Sequence, residues 1–203
     1  MTALPRITRE WLAGQADVFA SLWPVLEARL TGPGAAAEPG ATAAEKPGRA
    51  KPAGSKPGSA KQPPAIPEGW RWIWHAGRFL AGLESLGLAG WFQKTLQDDP
   101  SGQEVEAAYI ALNRLGLLSH ARILAQGSGL AMGWAGPAAE KLWRGIIGDA
   151  GLQAPSRSRR GPPTAQQLQQ LDTLVAQFHS LEQDWRKHIG RFAKTNPRQF
   201  AEG

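Results

Sequence analysis

Over residues 164–196 apolar side chains recur at Leu168, Leu171, Val175, Phe178, Trp185, Ile189 and Phe192. Most steps are three or four, which puts the side chains on one helix face. Only Glu182 breaks the row, and Leu181 beside it can fill the gap. Thr164 and Gln167 have capping-box spacing at the start. Asn196-Pro197 is the stop, because proline lacks an N–H and disfavours helix in the residue before it. The pattern predicts one long C-terminal helix lying against another helix. Its Gln-rich flanks lack the paired opposite charges of a long coiled coil. The seam is therefore expected to be covered from inside the chain.

The rest of the chain reads as helices and linkers. Residues 8–30 carry Trp11, Phe19, Leu22, Trp23, Leu26 and Leu30 on one stripe, with Thr8 as candidate N-cap and Pro24 as an expected kink. Residues 31–67 are Ala, Pro, Gly, Lys and Ser with one large apolar residue, Ile66. That composition cannot offset the entropy of ordering, so a disordered linker is expected. Residues 70–92 are helical and apolar over most of the circumference, with a polar strip of Arg71, His75, Arg78 and Ser85. An arc that wide is either central in a core or a docking surface. A break is expected near Gly87. Residues 101–126 form the next helix, with Ser101 and Glu104 at capping-box spacing. Pro137 suits the first turn of a short helix carrying Leu142, Trp143, Ile146 and Ile147, with Gly151 past its end. No alternating run reads as a strand.

These elements give an all-α fold: a small helical bundle with a long C-terminal helix. The expected domains are an N-terminal amphipathic helix (1–30), the linker (31–67) and a helical domain (68–203). The first helix is expected to stand on a tether, free to reach a partner.

Composition narrows the chemistry. The 203 residues include nine Trp, one Tyr and no Cys. Disulfides, zinc–thiolate sites, iron–sulfur clusters and cysteine nucleophiles are excluded. The net charge is +6, of which residues 38–64 carry +3 and Arg157, Arg159 and Arg160 another +3. The excess thus sits in the expected linkers, which is weak support for a nucleic-acid surface. No signal peptide and no membrane-spanning run is read, and a cytoplasmic location is expected.

No catalytic constellation emerges. No two histidines have helical metal-pair spacing, and HExxH is absent. His179 and His188 fall on opposite sides of the expected C-terminal helix. His75 and His120 each lack a visible orienting partner. Gly127, Gly129 and Gly133 spell GxGxxxG, but the preceding segment is helical, whereas a dinucleotide loop follows a strand. A helix–helix corner fits them better. No cofactor and no metal site is expected, and the chain reads as a non-enzyme.

Two segments resemble a known family. Residues 11–23 (Trp11, Gln15, Phe19, Trp23) are similar to the Trp-x3-Gln-x3-aromatic-x3-Trp pattern of the accessory subunit of class III polyhydroxyalkanoate synthases. The C-terminal region with Leu174, Trp185 and Phe200 resembles that family's Trp-bearing helix ending near a Phe. The resemblance implies a non-catalytic subunit that binds and activates a synthase whose own cysteine does the chemistry. It carries over Trp11, Gln15, Phe19 and Trp23 as contact residues. Trp70 and Trp74 of the wide apolar helix are added as contacts on their own pattern. Two alternatives remain. A phasin-like protein would coat a granule or lipid surface through the wide apolar face. A nucleic-acid-associated protein would use the basic linkers.

Overall fold

The computed structural model of the chain describes residues 5–31, 66–155, 160–181 and 183–201. The expected disordered linker and the basic positions Arg157 and Arg159 lie outside the described residues. Among the described residues the fold is all-α, with no strand. Its helices are α1 (Arg9–Gly14), α2 (Val18–Thr31), α3 (Glu68–Asp98), α4 (Gln103–Arg114), α5 (Leu118–Ala131), α6 (Pro137–Asp149), α7 (Ala165–Ser180), α8 (Trp185–Thr195) and α9 (Pro197–Phe200). A 3-10 turn, Met132–Trp134, links α5 to the segment before α6.

Several expected helices are divided, each by an identifiable local cause. The first is α1 and α2, not one helix. Thr8 caps α1 as expected, its Oγ1 accepting from the Trp11 N–H at 3.1 Å. The chain then extends at Gln15, and Asp17 Oδ1 accepts from the Ala20 N–H at 2.9 Å to start α2. α2 runs on through Pro24. The expected helix over 101–126 is α4 and α5, divided by a turn at Gly116. The cap of α4 is also reassigned. Asp99, not Ser101 with Glu104, holds the start, with Oδ2 accepting from the Glu104 N–H at 2.8 Å and Oδ1 from Ser101.

The long C-terminal helix is likewise two helices. Thr164 and Gln167 do form a capping box on α7. Leu181 then adopts an extended conformation, and the Asp184 carboxylate accepts from the Arg186 and Lys187 N–H groups to open α8. The seam continues across the break, with Leu171, Phe178, Trp185 and Ile189 buried, although Leu168 is 37% exposed and Val175 and Phe192 are partly exposed. Asn196-Pro197 ends α8 as expected. His179 and His188 consequently belong to different helices.

α3 is the centre of the molecule and touches α2, α4, α5, α7 and α9. Its wide apolar arc is core: Trp70, Ile73, Phe79, Leu80 and Leu83 are at most 1% exposed. Burial of this kind stabilises by roughly 1.5–3 kcal/mol per large side chain. The break expected near Gly87 is present, with φ 66 and ψ 175, a conformation open to glycine alone. Leu88, Trp91 and Phe92 then continue the core beyond it. Most of the arc is thus consumed internally, while Trp72 and Trp74 are partly exposed and Leu86 is 49% exposed.

The first helix does not stand apart. Leu12, Val18, Phe19, Leu22, Val25 and Leu26 are buried in the same core as α3 and α8. α1 packs on α8 and α9, and α2 packs on α8 and α3. The amphipathic stripe found its partner inside the chain. No described helix is long and apolar enough to cross a membrane.

Candidate functional site: an aromatic ladder and a His–Glu groove

α2 meets α3 at a missing side chain. A Cβ on Gly77 would lie 2.3 Å from the Trp23 ring, so only glycine lets that indole lie flat on α3. Trp23 then stacks on Trp74 at 5.2 Å and on Phe19 at 5.4 Å. Phe19 in turn meets Trp185 of α8 edge-on at 4.9 Å. Four rings from three helices thus form one ladder. Trp23 and Trp74 remain partly exposed, while Phe19 and Trp185 are buried. Offset and edge-on ring pairs of this geometry contribute about 0.5–1.5 kcal/mol beyond their area.

Cations close both ends. Arg78 lies 5.7 Å from the centre of Trp74, and Arg186 lies 4.1 Å from that of Trp185. Glu84 of α3 ties the second end together. It accepts from Trp185 Nε1 at 3.0 Å and takes both Arg186 amino groups, at 3.0 and 2.6 Å. The Arg186 hydrogen bond holds the Glu84 carboxyl below the usual carboxylate range, and the Trp185 N–H adds to it against the effect of burial.

At the other end Arg78 leads into a polar groove of about 570 Å³ between α3 and α4. Glu104 is its hub. One carboxylate oxygen lies 3.1 Å from His75 Nδ1, and the other 3.4 Å from Arg78 Nη1. A carboxylate only accepts, so Nδ1 donates to it and the imidazole is held in one orientation. His75 therefore does have an orienting partner, contrary to the sequence expectation. Trp72 and Arg71 line the same groove, and Arg114 lies 6.0 Å from the Trp72 ring. Among the described residues its polar lining is the carboxylates of Glu68, Asp99, Glu104 and Glu106 with His75, Arg71 and Gln103, and no hydroxyl, thiol or amine side chain. Among the described residues no group of three or more His, Asp or Glu could hold a metal ion.

Of the six contact residues expected from sequence, three come together: Phe19, Trp23 and Trp74. Trp11 is partly buried on α1. Gln15 serves the α1–α2 junction, its Nε2 donating to Trp11 O at 3.3 Å and its Oε1 lying 3.0 Å from Ser21 Oγ. Trp70 is core: it is fully buried, its Nε1 donates to Phe200 O at 2.6 Å, and Arg29 lies 4.9 Å from its ring. A fully covered indole has no surface to give a partner. Glu84, Glu104 and Arg186 were missed. They sit at unremarkable polar positions, and only their partners across 29 to 102 residues of chain mark them.

No family model matches this chain, and neither does any curated protein or solved structure.

Proposed function

We propose that the chain is a non-catalytic accessory subunit that docks on a partner enzyme through the Trp23–Trp74–Arg78 surface. The observation that carries this reading is the partly exposed indole stack beside an arginine and an oriented histidine. Tryptophan and arginine are the residues that most often dominate interface energies, and half-covered indoles become anchors when a partner covers the rest. The partner proposed is a polyhydroxyalkanoate synthase with its own catalytic cysteine, because the pattern at Trp11, Gln15, Phe19 and Trp23 resembles that family's accessory subunit. The subunit would act in the cytoplasm, at the growing granule. Only part of the patterned segment is surface. Phe19 and Gln15 support the geometry, and Trp23 with Trp74 makes the contact.

The test mixes the full chain with the catalytic subunit of a class III synthase and follows complex formation by size exclusion and polymerisation by thiol release. A stoichiometric complex and faster polymer synthesis are expected. Truncating one central tryptophan of an interface costs ~2 kcal/mol or more. Trp74→Ala with Arg78→Ala should therefore weaken the complex at least about tenfold while the helical circular dichroism signal is kept. Absence of any complex overturns the partner. An undiminished complex with the double variant overturns the surface.

A further inference from the structure

A cavity of about 460 Å³ lies between α5, α6, α7 and the loop after α6, on elements that neither the ladder nor the His75 groove uses. Its floor is apolar: Leu130 of α5, Ile147 of α6, Leu152 of the loop and Leu174 of α7. Its rim carries the side-chain amides of Gln126, Gln153 and Gln170, none of which has a partner among the described residues. Among the described residues no charged one lines it.

The walls are held in place by specific bonds. α6 ends in a Schellman motif, with Leu152 N–H donating to Ile147 O at 3.0 Å and Gly151 N–H to Gly148 O at 2.9 Å. Gly151 takes the required left-handed conformation with φ 69. Arg144 Nη1 donates to Pro155 O at 2.9 Å while its Nη2 holds Glu140 at 2.8 Å, which pins the loop to α6. Gln167 Nε2 donates to Leu130 O at 3.2 Å, which pins α7 to the end of α5.

The glycine motif completes the description. Gly127 is required by packing, since a Cβ there would lie 2.6 Å from Leu88 and 3.0 Å from Phe92. Gly129 is not. A Cβ there would meet only Ile147 Cδ1, at an ordinary 3.7 Å. Glycine inside a helix is unfavourable. Here it opens the cavity floor without serving any contact in the protein.

We propose that this cavity binds an uncharged acyl chain that ends in an ester or amide group. The apolar floor takes the chain. The free amide N–H donors on the rim take the carbonyl oxygen. Among the described lining residues a carboxylate or phosphate would find no cation and an ammonium no anion, whereas an ester or amide carbonyl is matched by the glutamine N–H donors. The volume lies within the roughly 300–1,000 Å³ of small-molecule sites, and an apolar lining with a few convergent polar groups is their usual composition. This inference does not rest on the docking surface.

The full chain is titrated calorimetrically with monodecanoylglycerol below its micelle concentration. Decanoate and decyltrimethylammonium serve as charged counterparts. Saturable binding of the glyceride is expected, with each charged probe at least tenfold weaker. Gly129→Leu fills the floor and should weaken the glyceride at least tenfold with an unchanged or higher Tm. Gln170→Leu, on the exposed side of α7, should weaken it several-fold with the fold intact. The proposal is overturned by absence of saturable glyceride binding, by equal binding of all three probes, or by unchanged affinity in folded Gly129→Leu. Should that variant not fold, unchanged affinity in Gln170→Leu overturns it equally.

Discussion

His120 of α5 meets Phe178 of α7 edge-on at 5.5 Å and is 1% exposed. Its Nδ1 is buried without a hydrogen-bond partner among the described residues. Burial, followed by the proximity of His188, lowers its pKa from 6.5 to about 4. The unfolded chain takes up the proton near 6.5 and the folded one only near 4. Between those values the unfolded state binds more protons, so stability is whole above about pH 6.5 and falls as pH drops toward 4. The loss reaches at most about 3 kcal/mol. Urea unfolding at pH 7 and pH 4.5 should show it in the wild type and much less in His120→Leu; equal losses would refute the assignment. His75 makes the contrasting case. Its position on a polar helix strip was legible from residue spacing. Its role was not, because Glu104 lies 29 residues away in sequence and reaches the ring only through the packing of α4 on α3.

Helix termini test the element scale. Residues 164–196 have the periodicity of one helix, and the chain uses two. Propensity and periodicity are nearly indifferent to a short break that keeps the same face buried, which is why the pattern did not reveal it. Asp184 decides the matter locally, by accepting two backbone N–H groups at the start of α8. Replacing such a cap by alanine costs about 1 kcal/mol. Asp184→Ala should therefore lower stability by that amount in thermal or urea unfolding. In a continuous helix the same change would be neutral or stabilising, since alanine is the best helix former. Asp99 teaches the same lesson. It lies just before the Ser101–Glu104 capping-box spacing, and it takes the cap because its carboxylate reaches the Glu104 N–H once the turn is formed. Capping signals that depend on three residues alone, as at Thr8 and Thr164, were legible.

At the scale of the molecule, α1 and α2 close the core against α3, α8 and α9 although residues 32–65 separate them in sequence from α3. Deleting residues 1–31 would uncover Trp185, Gly190 and the Gly77 face of α3. The shortened chain is expected to melt at a markedly lower temperature and with less cooperativity than the full chain; an unchanged melting curve would restore the tethered arrangement. The sequence by itself determined the helical class, most helix faces, the better caps and the break at Gly87. These follow from side-chain period and backbone chemistry within a few neighbouring residues. Only the tertiary structure decided which stripes cover one another. It placed Trp70 in the core and Trp23 on Trp74, paired His75 with Glu104, and left an open floor at Gly129. Each of those depends on contacts between residues distant along the chain, and an apolar stripe satisfies the same pattern whether its partner is the next helix or another protein.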